Sequence, residues 1–96
     1  MPNVYDIGDR VTITGTFKDH GVNASPPKVR VWVKDPSGIK TTYIYPDDPE
    51  VVKVAEGVFE FSIYAAMSGR YYYRMDDNEV NVAEEGFFDV RRSQLV

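Results

Sequence analysis

The stretch RVTITGTF, Arg10 to Phe17, alternates apolar and polar residues without a break. On the two-residue period of an extended chain, Val11, Ile13, Gly15 and Phe17 share one face and Thr12, Thr14 and Thr16 the other. The rhythm recurs. KVRVWVK (Lys28 to Lys34) sets Val29, Val31 and Val33 against Arg30 and Trp32. VFEFSIY (Val58 to Tyr64) sets Phe59, Phe61 and Ile63 against Glu60 and Ser62, and GFFDVR (Gly86 to Arg91) puts Phe88 and Val90 on one side. No segment has a helical period, and β-branched and aromatic residues fill the runs. An all-β chain is expected.

Two turns set the register of two hairpins, because a slip of one residue sends every side chain to the opposite face. In DPSG, Pro36 suits the first central position of a type I turn and Gly38 the left-handed residue after it. Placing Asp35 opposite Ile39 pairs Val33 with Thr41, Val31 with Tyr43 and Val29 with Tyr45, and sets Trp32 against Thr42. In AEGV, a two-residue turn at Glu56-Gly57 pairs Ala55 with Val58. Continued without interruption, it sets Val54 against Phe59, Val52 against Phe61 and Lys53 against Glu60, a favourable cross-strand charge pair.

The remaining segments are expected as short edges and connections. Tyr5 and Ile7 offer a short strand. Lys18 to Pro27, Tyr45 to Glu50 and the acidic run Asp76 to Gly86 are connections, the last with a small strand at Val80 and Val82. About seven to eight short antiparallel strands read as a two-sheet sandwich. Its core is expected at Val11, Ile13, Phe17, Val29, Val31, Val33, Val52, Val54, Phe59, Phe61, Ile63, Tyr71, Tyr73, Phe88 and Val90. In SGRYYYRMDD the same period turns Tyr71, Tyr73 and Met75 inward and Arg70, Tyr72 and Arg74 outward. Gly69-x-Tyr71-x-Tyr73 matches part of the tyrosine corner of immunoglobulin-like domains.

The 96 residues suit one domain, residues 1–96, with short flexible tails at Met1 to Val4 and Ser93 to Val96. There is no cysteine, so neither a disulfide nor a thiolate metal site can form. The net charge of −4 is unevenly spread. Its acidic middle argues against a nucleic-acid partner, which needs a basic face. No signal-peptide pattern and no apolar run of membrane-spanning length is present, so no membrane role is expected and synthesis is placed in the cytoplasm.

Catalytic chemistry finds little to use. His20, the one histidine, lies beside Asp19 in a polar segment and reads as a surface residue. The doublets Asp47/Asp48, Asp76/Asp77 and Glu84/Glu85 would point to opposite faces of a strand, which does not make a catalytic pair. Asp76, Asp77, Asn78 and Glu79 lack the loop spacing of a calcium site, and no cofactor or metal is expected. What remains is exposed aromatic and basic surface. Arg30, Trp32 and Ile44 share the outward face of one hairpin, and Arg70, Tyr72 and Arg74 that of another strand. Tryptophan and arginine dominate protein interfaces. Trp32 stands either on that face or under a loop at the rim.

The segments YDIGDRVTITGTF, VRVWVKDPSG, EGVFEFSI, SGRYYYR and EGFFDVRRSQL resemble, in order and over most of the chain, the small immunoglobulin-like virion proteins of tailed bacteriophages and prophages. The resemblance implies a non-enzymatic virion component, a head decoration or head–tail neck protein. It would be made in the host cytoplasm and incorporated in many copies, or as a homo-oligomer, against capsid, portal or tail proteins. The alternative is a carbohydrate-binding or adhesive module that stacks sugars on Trp32 and Tyr72.

Overall fold

A computed structural model describes residues 4–77 and 81–92. Among these residues the chain is all-β and holds no helix. The strands are β1 (Val4–Asp6), β2 (Arg10–Thr16), β3 (Lys18–Asp19), β4 (Val22–Asn23), β5 (Val29–Lys34), β6 (Lys40–Tyr45), β7 (Val51–Ala55), β8 (Val58–Tyr64), β9 (Gly69–Asp76) and β10 (Val82–Arg91). They form a five-stranded sheet in the order β1-β10-β9-β5-β6, a three-stranded sheet β2-β8-β7, and a small ribbon β3-β4. The inward residues of the two larger sheets meet in one core. Phe59, Phe61, Val29, Val31 and Met75 are completely enclosed there.

Alternation explains most of this burial. Strand β2 buries Val11, Ile13 and Gly15 in strict turn and exposes the threonines. The two sheets approach closely at Gly15, where an added Cβ would lie 2.6 Å from the Met75 sulfur and 2.9 Å from the Ala83 Cβ. Rings tie the sheets together: Tyr43 of β6 meets Phe61 of β8 at 4.9 Å, and Tyr45 meets Phe59 at 5.1 Å. Tyr71 stacks on Phe88, and its hydroxyl accepts a hydrogen bond from the backbone N–H of Met67 at 3.2 Å.

The β5–β6 hairpin has the register that its turn dictates. Val33 faces Thr41, Val31 faces Tyr43, Val29 faces Tyr45 and Trp32 faces Thr42. The β7–β8 hairpin departs from its expected register. Ala55 pairs with Val58 as the turn requires, but Lys53 then faces Phe59, Val52 faces Glu60 and Val51 faces Phe61. A bulge at Val54 absorbs one residue. Val51 therefore fills the core, while Val52 and Val54, expected there, are 45% and 50% exposed. The expected Lys53–Glu60 pair does not form, and Lys53 reaches Glu56 at 3.6 Å. The turn supplies the reason. The two-residue hairpin turns that match strand twist need positive φ at the first central position, and type I′ at both. Gly57 has φ +75° but Glu56 does not enter that region, so the ladder makes up the mismatch nearby.

Other expectations need correcting. Strand β1 runs parallel to β10, with Tyr5 beside Val90, so the pairing is not antiparallel throughout. Ile7 lies beyond β1 and is exposed. The Lys18 to Pro27 connection contains the β3–β4 hairpin, whose central His20 and Gly21 both have positive φ. The Asp76 to Gly86 segment is largely strand, since β9 ends at Asp76 and β10 begins at Val82. Val80, Asn78, Glu79, Met1 to Asn3 and Ser93 to Val96 lie outside the described residues. Ile63 and Tyr73 are half-buried at the core margin rather than within it.

Candidate binding face

The outward face of the five-stranded sheet collects every side chain that the sequence offers as exposed aromatic or basic surface, Arg30, Trp32, Ile44, Arg70, Tyr72 and Arg74. Cross-strand register arranges them in rows. Ile44, Arg30 and Asp76 lie side by side, as do Thr42, Trp32, Arg74 and Glu85. The next row is Lys40, Lys34, Tyr72 and Phe87, followed by Arg70 with Asp89. The face thus joins Arg30, Trp32 and Ile44 of one hairpin to Arg70, Tyr72 and Arg74 of β9, because β5 and β9 are neighbours.

The arginines are held in place by carboxylates. Arg30 donates to both Asp76 oxygens, from Nε at 3.2 Å and Nη2 at 3.0 Å, and Arg74 Nε donates to Asp76 Oδ2 at 3.1 Å. Arg74 also meets Glu85 at 3.6 Å. Arg70 grips Asp89 through Nε at 2.8 Å and Nη2 at 3.2 Å. The hydrogen bond from Arg30 to Asp76, helped by their opposite charges, raises the guanidinium pKa against the effect of burial. The Arg70–Asp89 bond likewise raises the arginine and lowers the aspartate.

With these cations neutralised, the aromatic rings and two lysines define the surface. Tyr72 is 46% exposed and Phe87 38%, with their ring centroids 6.4 Å apart. The Arg70 guanidinium lies 4.0 Å from the Phe87 ring centre, and the Lys40 ammonium 4.8 Å from that of Trp32. Trp32 itself is half-buried on this outward side. The salt bridges among the described residues do not include Lys34 or Lys40, which face each other across the β5–β6 ladder.

Among the members of the face that the sequence reading missed, Asp76 and Phe87 matter most. Asp76 was assigned to a connection, yet it is fully buried beneath Arg30 and Arg74. The two-residue period from Arg70 through Tyr72 and Arg74 leads directly to it. Phe87 follows from Phe88 by the same logic, since one ring turned inward sends its neighbour outward. Of the acids weighed for calcium, Asp76 is bound by the arginines, and Asp77 by Asn81, whose Nδ2 donates to it at 2.8 Å. Among the described residues no group of three or more His, Cys, Asp or Glu could hold a metal ion. No helix there is long and apolar enough to cross a membrane.

These features define an all-β protein of several sheets without a disulfide, two of them closed on one core. No protein-family model and no curated protein matches the chain.

Proposed function

We propose that the chain is an immunoglobulin-like sandwich that serves as a non-enzymatic structural or assembly protein of a tailed-bacteriophage virion. It acts through protein–protein contacts, in many copies, against capsid, portal or tail components. The sandwich reading is supported by the sheet orders β1-β10-β9-β5-β6 and β2-β8-β7 and by the parallel β1–β10 pair. The Tyr71–Met67 bond has the connectivity of a tyrosine corner. The virion reading rests on the sequence resemblance.

One observation carries the binding role: Trp32, Tyr72 and Phe87 share a sheet face whose arginines are already fixed by carboxylates. Residue types that dominate interfaces thus stand pre-ordered, so less side-chain freedom is lost on docking. The sugar-stacking alternative is less well served, because the Lys40 ammonium lies over the Trp32 ring. The test is the paired substitution Trp32→Ala and Tyr72→Ala, read as incorporation into virus particles assembled with the chain. The native chain should incorporate, and the folded double variant should do so at least tenfold less. Equal incorporation removes this face, and a native chain that never enters particles removes the virion role.

A further inference from the structure

The five-stranded sheet ends at β6, and the edge of β6 is only partly closed. Backbone groups in an antiparallel ladder alternate between the partner strand and the open side. The Asp35 N–H donates to the Ile39 carbonyl at 2.9 Å, which sets the phase: Lys40, Thr42 and Ile44 turn their N–H and C=O groups away from β5. Ile44 is already satisfied, because its N–H donates to the Asp48 carboxylate at 2.8 Å and its carbonyl accepts from the Asp48 N–H at 2.7 Å. Among the described residues, Lys40 and Thr42 meet no further strand.

Beside this open edge the two sheets part. Strand β7 stops pairing with β8 at Val51 and Phe61, with one last bond from the Ser62 N–H to the Glu50 carbonyl. Ile63 and Tyr64 extend beyond β7. A hollow of about 190 Å³ remains, lined by Ile39, Tyr43, Ile63, Tyr64 and Met67 among others. Ile39, Tyr64 and Met67 are 63%, 70% and 39% exposed, a concentration of large apolar side chains at one end of the molecule.

We propose that the Lys40–Thr42 edge and this hollow form one docking site for an extended segment of another protein, acidic and apolar at alternate positions. An added strand would pair its backbone with Lys40 and Thr42. Its inward side chains would enter the hollow, and its outward ones would lie beside Lys40, with Lys34 one strand further in. Those two lysines are cross-strand partners, with the Lys40 ammonium over the Trp32 ring, so carboxylates on the incoming strand relieve a like-charge pair. The same charge argues against a second copy as occupant, since edge-to-edge pairing of two β6 strands would bring four ammonium groups together. The inference rests on the chain binding protein; the edge site shares Lys34 and Lys40 with the Trp32–Tyr72 face but none of its rings, so Thr42→Pro and Met67→Glu test it without touching those rings.

The probe is a capped six-residue peptide alternating glutamate and valine, with its lysine–valine counterpart as control, titrated against the full chain by NMR. The acidic peptide should shift the Lys40 and Thr42 amides, and the basic one should bind at least tenfold more weakly. Thr42→Pro removes an outward N–H without touching the β5 ladder and should weaken the acidic peptide at least tenfold, as should Met67→Glu in the hollow. Replacing both Lys34 and Lys40 by glutamate should reverse the peptide preference. Circular dichroism establishes that each variant is folded. Absence of binding at about 1 mM, or binding indifferent to both Thr42→Pro and Met67→Glu, overturns the site. Dimerisation abolished by Thr42→Pro would overturn it in favour of a second copy.

Discussion

The two hairpins β5–β6 and β7–β8 are similar in length but are held differently. The first closes on its own atoms. The Asp35 carboxylate accepts from the Ser37 N–H at 2.9 Å, the Ser37 hydroxyl at 2.6 Å and the Ile39 N–H at 3.0 Å. The second closes on distant ones. Ser25 Oγ accepts from the Gly57 N–H at 2.8 Å and donates to the Glu56 carboxylate, while the Gly57 carbonyl accepts from the Phe17 N–H at 2.7 Å. A turn closed within its own five residues, Asp35 to Ile39, specifies its register locally. A turn anchored to residues about thirty to forty positions away is set by the packing that brings them there.

The sharpest way to break this contrast is at the two turn glycines. Both have positive φ, +92° at Gly38 and +75° at Gly57. A Cβ at Gly38 meets nothing within 4 Å, whereas one at Gly57 would lie 2.6 Å from the Phe17 carbonyl oxygen and 2.9 Å from the Ala24 nitrogen. Gly38→Ala should therefore cost about 1 kcal/mol, the strain of a left-handed alanine alone. Gly57→Ala adds a clash with backbone that cannot turn aside, and about 3 kcal/mol is expected. Denaturant midpoints of the two variants check the difference, and equal losses would show that the second turn is no more anchored than the first.

The bulge gives a smaller effect. Val51→Ala should lose about 2 kcal/mol, because it opens space among buried side chains. Val52→Ala should stay within about 0.5 kcal/mol. The unbulged register reverses that order, so the pair of unfolding curves decides which strand face is dry.

That reversal marks where the sequence stopped being legible. Alternation placed the inward faces of β2, β5, β8 and the end of β10 correctly because each strand obeys one uninterrupted period. It failed at Val52 and Val54 because the inserted residue answers to the φ angle of Glu56, which side-chain pattern does not reveal. It also missed the parallel β1–β10 pair, since neither strand records in its composition which neighbour it will meet. Positions on the candidate face followed from alternation alone. Asp76 was lost because a run of acids looks like a connection, and only the assembled sheet brings Arg30 across from it.

Acid offers the smallest and most local comparison. Asp35 is held below its ordinary pKa chiefly by the Ser37 hydroxyl, with help from the Ile39 N–H. Glu56 is held below its own chiefly by Ser25, then by Lys53. Each carboxylate is more acidic in the folded chain than in the unfolded one, so the stability it contributes is present above the unfolded pKa, near pH 4, and is lost as pH falls through the folded value. Both groups are exposed, which keeps the contribution small. The site of control distinguishes them. Ser37→Ala should raise the Asp35 pKa and leave Glu56 where it is, and Ser25→Ala should do the converse, each read by NMR titration of the side-chain carboxyl. If Ser25→Ala left the Glu56 titration unmoved, Ser25 would not hold the Glu56 carboxylate, and the contrast between the hairpins would rest on the Phe17–Gly57 bond and the packing around Gly57.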